Sequence, residues 1–375
     1  MELLLNDEQK LLQDSAAKLI ERGAGPKRAR KLRETATNAD MQTWREIAEA
    51  GWLAIAVPGD AGGLDLGLTE LCVVLEQAGR GLLTEPLTIA SAAARALAEG
   101  ESETLREGLL AEVIGGSKIV VPAIQEGPVA PDLDDVKTTA KAAGGGGLIL
   151  SGAKSYVPAA ALADGYIVNA RADNGMALCF VPKDAKGATM TVKRTVDGGG
   201  HGTLQLSGVA VPKEHVLAGA NGAPVIASRM YDAVLVGLSA EMLGVMEQAL
   251  DIAVEYMKIR KQFDRPIGSF QALQHRAVND YIEVELTRSL LFQVAAAMDE
   301  GRGSPVMGSA AKAKASGAVL SVCKSAIQMH GGIGFTDEHD IGLYLKRAMA
   351  LSAQFGNEAA QRARYARLAG LEAHA

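Results

Sequence analysis

The chain has 375 residues, 48% of them hydrophobic, and a formal net charge of −6 at pH 7. This length allows two or three domains with a large buried core, and no basic run coincides with aromatic residues, so a nucleic-acid surface is excluded. The three cysteines, Cys72, Cys179 and Cys323, lie far apart without metal-binding spacing and cannot all pair within one chain. We therefore expect free thiols in a reducing cytoplasm and no metal site.

The start of the sequence, MELLLNDEQKLL, has no basic residues before its apolar stretch and acidic residues directly after it. This pattern argues against a signal peptide, and no apolar run reaches the length of a membrane span. We expect a cytoplasmic protein without a membrane segment.

Helical patterns dominate the first part of the chain. Asn6 can cap a helix, with Gln9 three positions on completing a capping box. Later helices are predicted around Trp44 and from Thr69 onward, on either side of a loop rich in Gly and Pro. The apolar stripe of the first helix comprises Leu11, Leu12, Ala16, Leu19 and Ile20. We predict a helical domain over residues 1–117.

Short apolar runs separated by Gly, Pro and Asp characterise the middle of the chain, residues 118–218. They have the length of strands and are closely spaced, which predicts a small antiparallel barrel or sandwich. The glycine run 144–147 is interpreted as a hairpin loop, because no helix begins there to bind a phosphate. His201 is interpreted as structural, because nothing nearby completes a metal or catalytic set. The predicted strands include residues 119–124, 148–150, 166–168, 177–181, 190–192 and 204–206.

Long helical patterns return in residues 219–375. Three of them, 223–262, 270–301 and 305–329, have alanine-rich faces, and two shorter segments follow. Helices of this length and composition predict a four-helix bundle.

A bend at residues 264–268 joins the first two long helices, and potential ligand-binding residues collect around it. Arg260 has a fork of donors that matches phosphate oxygens, Phe263 has an apolar face, and Gln271 has both a donor and an acceptor. This combination suits a nucleotide. The simpler alternative is that the arginine and the ring at a helix end serve as a dipole partner and a core anchor.

Two motifs decide between these interpretations. The run RKQFDRPIGSFQALQH at 260–275 and the run QMHGGIGF at 328–335 resemble the two late motifs of the acyl-CoA dehydrogenase family. The resemblance implies an α+β fold with an N-terminal helical domain, a middle β domain and a C-terminal four-helix bundle. It further implies FAD as cofactor, an acyl-CoA substrate, an electron-transferring flavoprotein as acceptor, and dimers or tetramers. The residues that it assigns to the FAD of a neighbouring subunit are Arg260, Phe263, Gln271, Gln328, Gly331 and Gly332.

The same resemblance leaves the catalytic base unassigned. The family's usual glutamate falls on Phe355, beside Gly356, and a phenylalanine cannot accept a proton. Its backbone N–H can still bond a thioester carbonyl. Some relatives carry the base on the helix that opens the bundle, where this chain has Val234. Two acidic residues are left as candidates: Asp232, about 200° around the helix from Val234, and Glu358, about one turn beyond Phe355.

The flavin-ring side of the resemblance is incomplete. Where many relatives have Thr-Glu-Pro, this chain has Gln125-Glu126-Gly127, and the aromatic residue of a later segment is replaced by Tyr156. The resemblance places ring contacts at Gln125 and Tyr156, but the usual hydroxyl groups are missing. This chain is therefore better equipped to complete a partner's flavin site than its own.

Three hypotheses follow from this pattern. The first is a subunit of a heteromeric acyl-CoA dehydrogenase, paired with a related chain that supplies the base, as in enzymes of steroid side-chain degradation. The second is a self-sufficient homo-oligomeric dehydrogenase with a non-standard base such as Asp232 or Glu358. The third is a flavin-free relative that binds acyl-CoA or has a structural role. We favour the first over the second, and both over the third. The apolar pocket expected in each case accepts fatty and steroid acyl groups alike.

Overall fold

Helices form both ends of the chain and a sheet forms its middle in the computed structural model, which describes residues 5–371. The N-terminal helices are α1 Asp7–Gly23, α2 Pro26–Leu32, α3 Met41–Glu49, α4 Leu68–Arg80, α5 Leu87–Glu99 and α6 Leu110–Ile114. The C-terminal helices are α7 Ala223–Ile259, α8 Gln271–Asp299, α9 Pro305–His330, α10 Ile341–Ala353 and α11 Glu358–Leu368. The strands of the sheet are β1 Val120–Ala123, β2 Thr139–Ala142, β3 Leu148–Pro158, β4 Gly165–Ala172, β5 Gly175–Pro182, β6 Ala188–Arg194, β7 Gly200–Val211 and β8 Val216–Ala218.

The N-terminal helices begin and pack largely as predicted. The capping box at α1 is formed, with the Gln9 N–H donating to Asn6 Oδ1 at 2.8 Å and the Asn6 N–H donating to Gln9 Oε1 at 3.0 Å. Trp44 is fully buried, and its indole N–H donates to the carbonyl of Gly116 at 2.9 Å. The predicted apolar stripe of α1 was wrong at Leu11, which is 70% exposed.

The sheet is mostly antiparallel, in the order β6-β7-β3-β2-β4-β5-β8, with β1 attached to β4. The antiparallel prediction was wrong for two pairs, because β1 and β2 each run parallel to β4. The strands β2 and β8 were not predicted, since they are short and β2 has the sequence TAKA rather than an apolar run. The glycine run connects β2 to β3, so the hairpin interpretation is confirmed.

The bundle is built around α7, which packs closely against α4. A Cβ added to Gly244 would lie 1.8 Å from the Glu76 carbonyl oxygen, and one added to Gly79 would lie 2.0 Å from the Glu241 carbonyl oxygen. Only glycine allows the two backbones to approach this closely. The expectation that no apolar run has the length of a membrane span was wrong for α7, although 89% of its most apolar window is buried against the protein.

Candidate functional site

The connection between α7 and α8 is a small hairpin rather than a simple bend. Helix α7 ends at Ile259, and the strands β9 Lys261–Gln262 and β10 Arg265–Pro266 pair across a two-residue turn. Both turn residues, Phe263 and Asp264, have left-handed backbones, with φ of 52° and 62°. The hairpin leaves the Phe263 ring 85% exposed, with the Phe270 ring edge-on to it at 6.1 Å between the ring centroids.

The second motif ends α9 in a glycine turn. Helix α9 ends at His330, and Gly331 follows with φ of 65°. A Cβ added at Gly331 or at Gly332 would meet no atom within 4 Å. The backbone of this turn is therefore open to close approach by a ligand. Beyond it, the Phe335 ring is also 85% exposed.

Stacked rings bring the two motifs to one end of the bundle. Tyr256, four residues before Arg260, stacks on His330 with ring centroids 4.5 Å apart. His330 in turn lies 4.3 Å from the His339 ring. Because His330 directly precedes Gly331, the hairpin and the glycine turn are neighbours in space.

The polar residues at this end of the bundle face solvent. Arg260, Gln271 and Gln328 are exposed, and over residues 5–371 their side chains make no hydrogen bond to the protein. A guanidinium for a pyrophosphate, an aromatic face and an open glycine backbone are the groups that a dinucleotide needs. These residues fit FAD.

The loop after α10 contains Phe355, where the sequence resemblance places the family's base, and has no carboxyl group of its own. Phe355 is 3% exposed and has φ of 54°. Its carbonyl accepts hydrogen bonds from the Tyr231 hydroxyl at 3.1 Å and from Gln361 Nε2 at 2.6 Å. A Cβ added to Gly356 would lie 2.7 Å from that of Ala130, so the loop is packed against the segment before β2.

A buried lysine that sequence reasoning missed anchors this loop. Lys312, in the first third of α9, is fully buried. Its Nζ donates to the carbonyls of Leu351 at 3.2 Å, Ser352 at 3.0 Å and Gly356 at 3.2 Å, and to Ser316 Oγ at 2.9 Å. The lysine thus caps the carboxyl end of α10 and fixes the residue after Phe355. Burial lowers the pKa of Lys312 to about 7.

The two acidic candidates for the base each lie beside an arginine. Asp232 is 7% exposed and its Oδ1 is 3.7 Å from the guanidinium of Arg364; burial raises the pKa of its carboxyl to about 6. Glu358 pairs with Arg362 at 2.5 Å and its side chain is 40% exposed. In the described part of the chain neither carboxyl group bonds the loop. A role for either as base stays a hypothesis.

The two flavin-ring candidates differ in accessibility. Gln125 is buried, and its Nε2 donates to the carbonyls of Gly127 at 2.8 Å and Val129 at 2.7 Å. Tyr156 is 45% exposed, with φ of 51°, and its ring lies 5.1 Å from that of His201. Tyr156 is therefore accessible to a ligand, while the Gln125 amide nitrogen is engaged in holding its own loop.

A buried ion cluster joins α10 to α7 and to the connection between β6 and β7. Arg347 donates to Glu241 Oε1 at 3.0 Å through Nε and to Asp197 Oδ2 at 2.9 Å. The cavity beside this cluster measures about 60 Å³ and is also lined by Leu351 and Gln354. Ligand sites usually measure about 300–1,000 Å³, so this cavity is too small for an acyl group. Sequence reasoning missed the cluster because its members come from three distant segments.

Comparisons with known proteins show the family to which the chain belongs. The family model described as the N-terminal domain of acyl-CoA dehydrogenase matches residues 6–117, and the C-terminal model matches residues 221–369. The acyl-CoA dehydrogenase FadE27 of Mycobacterium tuberculosis is 30% identical over 356 residues, 91% of each chain. The acyl-CoA dehydrogenase IpdE2 of Mycolicibacterium smegmatis is 31% identical over 349 residues, 92% of this chain and 93% of that protein.

Solved structures show the same fold. A variant of the Tcur3481–Tcur3483 steroid ACAD has a TM-score of 0.90 and 33% identity, covering 98% of this chain and 99% of that one. The ChsE4–ChsE5 complex of Mycobacterium tuberculosis has a TM-score of 0.90 and 28% identity, with full coverage of both chains. From its motifs, its three-part architecture and these likenesses, we conclude that the chain belongs to the acyl-CoA dehydrogenase family, FAD-dependent oxidoreductases that act on CH–CH bonds.

Proposed function

We propose that this chain is a subunit of a heteromeric acyl-CoA dehydrogenase and completes the FAD site of a related partner chain. One contrast carries the proposal. The residues of the two flavin motifs are exposed and unengaged at one end of the bundle, whereas the base position holds the buried ring of Phe355. The partner chain then supplies the base and the contacts to the flavin ring.

Each motif residue has a distinct role in this proposal. The Arg260 guanidinium binds the FAD pyrophosphate, and the Phe263 ring packs against an apolar part of the cofactor. Gln271 and Gln328 donate and accept hydrogen bonds, and the open backbone at Gly331 and Gly332 admits the dinucleotide. Bound FAD supplies the hydride acceptor for α,β-dehydrogenation of the acyl-CoA thioester.

A row of exposed apolar residues on α8 supports assembly with another chain. Val278, Tyr281, Ile282 and Leu286 lie on one face of the helix and are 54%, 57%, 46% and 53% exposed. The row begins near Gln271, so a partner that covers it also reaches the flavin motifs. Contiguous exposed apolar surface of this kind marks protein interfaces.

The comparisons support a two-chain enzyme and a steroid-type substrate. Two similar structures are named as pairs of chains, and one of them is named a steroid ACAD. We propose that the complex dehydrogenates a lipid or steroid acyl-CoA in the cytoplasm and passes electrons to an electron-transferring flavoprotein. Its oligomer is a dimer or tetramer of the two chains.

The test is the ratio of FAD to chain, measured by visible absorbance, for the protein alone and co-expressed with a second acyl-CoA dehydrogenase-like chain. We expect little FAD alone, and flavin with activity in the complex. About one FAD per chain alone would contradict the proposal and favour a self-sufficient enzyme. A colourless complex would favour the flavin-free alternative.

A matched pair of arginine variants tests the assigned residue. Arg260→Gln removes the charged donor and should weaken FAD binding by the complex about 10- to 100-fold, the value of one charge-assisted hydrogen bond. Arg265→Gln, in the same hairpin, is the control, because that guanidinium already lies 4.2 Å from the Phe270 ring centroid. Equal FAD loss in both variants would show that the hairpin, rather than Arg260, is responsible.

A further inference from the structure

The connection between the glycine turn and α10, residues 336–340, lies next to the flavin motifs but belongs to neither. The Asp337 side chain is 59% exposed and the Asp340 side chain is 47% exposed. Asp340 is the N-cap residue of α10, yet its carboxylate makes no capping hydrogen bond. Aspartate is a preferred N-cap because of that bond. The carboxylate of Asp340 therefore serves another purpose.

Two arginines of α2 bind the carboxylates of this segment. Arg33 donates to Asp337 with both ends of its fork, from Nη1 to Oδ1 at 3.1 Å and from Nη2 to Oδ2 at 2.7 Å. Arg30 donates to Asp340 Oδ1 from Nη2 at 3.0 Å and from Nε at 3.3 Å, and it also donates to the Asp337 carbonyl. Lys346 Nζ lies 3.1 Å from Asp337 Oδ1. The hydrogen bonds from Arg33 and Lys346 hold the pKa of the Asp337 carboxyl well below its usual range, so the carboxylate keeps its charge.

Helix α2 is itself fixed to the rest of the protein. Arg28, near its start, pairs with Glu85, whose side chain is fully buried. At its end, the carbonyl of Arg33 accepts a hydrogen bond from Arg194 of β6. A Cβ added to Gly198 would lie 2.7 Å from Arg33 Cγ, so the arginine stem packs against the connection between β6 and β7. The arginines of α2 therefore reach the 336–340 segment from a firm base.

His339 links this segment to both flavin motifs. Its ring, in the middle of the segment, packs on the ring of His330 with 4.3 Å between centroids. His330 is 4% exposed and stacks on Tyr256 on its other side. His330 directly precedes Gly331, and Tyr256 lies about one helical turn before Arg260. A shift of the segment would therefore be passed to residues that adjoin the glycine turn and the hairpin.

We propose that Arg30 and Arg33 are positioning residues for the FAD site. Through their ion pairs they hold the 336–340 segment, and with it the His339 ring, so that the glycine turn and the hairpin keep the geometry that receives the cofactor. A site held in this way binds more tightly, because the cost of ordering it is not paid on binding. The inference rests on the proposed role of the two motifs in FAD binding, and it makes the N-terminal domain part of that site.

The first test needs no cofactor and follows hydrogen exchange of residues 328–340 by mass spectrometry in the purified full chain. The double variant Arg30→Gln/Arg33→Gln should exchange about five-fold faster than wild type in this segment. Adding about 0.5 M NaCl should raise wild-type exchange about two-fold, because salt screens ion pairs, and should leave the double variant unchanged. Arg362→Gln is the control, since its guanidinium pairs with Glu358 on α11. Wild-type exchange in the double variant, or no response of wild type to salt, would overturn the proposal.

The second test measures FAD affinity by titrating FAD into the apo form of the flavin-containing assembly. The Arg30→Gln/Arg33→Gln variant should bind FAD about three-fold more weakly. Its melting temperature should stay within about 3 °C of wild type, because partly exposed ion pairs contribute little to global stability. Arg260→Gln is the reference. If it weakens FAD binding and the double variant does not, the positioning role is wrong and the proposed function stands; if neither variant weakens it, the proposed FAD site is wrong as well.

Two substitutions of His339 separate its ring from its hydrogen bond. His339 Nδ1 accepts a hydrogen bond from the Ile341 N–H at 3.2 Å. His339→Phe keeps a ring over His330 and removes the acceptor, whereas His339→Asn keeps an acceptor and removes the ring. We expect FAD affinity close to wild type in His339→Phe and about three-fold weaker in His339→Asn. Similar FAD affinities in these two variants would overturn the proposal.

Discussion

Replacing Lys312 with methionine tests how the Phe355 loop is held. The change leaves the carbonyls of Leu351, Ser352 and Gly356 without their shared donor inside the protein. Each unpaired buried group costs about 1–3 kcal/mol, and removal of a buried cation offsets part of that sum. We expect a net loss of about 3 kcal/mol, which corresponds to a melting temperature lower by roughly 4 °C in a chain of this length.

The pH dependence of the same variant tests the state of the lysine. The pKa of Lys312 is about 7 in the folded protein and 10.5 without burial, so between these values the unfolded chain binds more protons. Wild-type stability therefore rises with pH across this window. The methionine variant has no lysine at this position and lacks this pH-dependent gain in stability. The difference between the two should grow by about 2–3 kcal/mol from pH 7 to pH 9.

The measurement is paired denaturant unfolding of wild type and variant at the two pH values. Lys314→Met is the matched control, two residues along α9, where the ammonium pairs with Glu283 at 2.7 Å and is partly exposed. The control should lose less than about 1 kcal/mol. Equal losses in the two variants would refute the capping role, and a difference that is flat with pH would show that Lys312 stays charged.

Three further substitutions probe the fold. Trp44→Phe removes the indole N–H that donates to the Gly116 carbonyl. The free energy of unfolding, measured with denaturant, should fall by about 1–3 kcal/mol. An unchanged value would mean that water replaces the lost hydrogen bond. Gly244→Ala should lower the melting temperature sharply, because the added Cβ clashes with α4. Gly108→Ala is the control and should not lower it, because no atom lies within 4 Å of its added Cβ. Similar melting temperatures of the two variants would contradict the close approach of α7 to α4. Burial raises the pKa of the Asp280 carboxyl from 3.8 to about 6, so between these values the folded chain binds more protons than the unfolded chain. Wild-type stability should therefore fall as pH rises through this window. Asp280→Asn should abolish this trend in melting temperatures measured across the same pH range.

Local patterns in the sequence predicted the local features well. The capping box of Asn6 and Gln9 depends on residues three positions apart, and the glycine hairpin depends on four consecutive residues. The same holds for the starts of α7 and α9 at Ala223 and Pro305, which agree with the predicted starts of the long helices. In each case the deciding interaction lies within the segment itself.

Features that join distant segments were not predictable. Lys312 bonds carbonyls about 40 residues later in the chain, and Arg347 joins α10 to Glu241 and Asp197. The stack of Tyr256 on His330, which brings the two flavin motifs together, also depends on tertiary packing. A single sequence records the residue types but not which of them meet. The flavin and base assignments came from motif resemblance and remain predictions.

The exposed rings of Phe263 and Phe335 set a condition on protein production. Each ring is 85% exposed, and burying such a side chain contributes about 1.5–3 kcal/mol. A copy whose rings no other chain covers keeps both rings in water and is prone to stick to other such copies. Under the proposed two-chain assembly, an excess of this chain over its partner leaves a form that is prone to aggregation or degradation, so the proposal predicts balanced synthesis of the two chains.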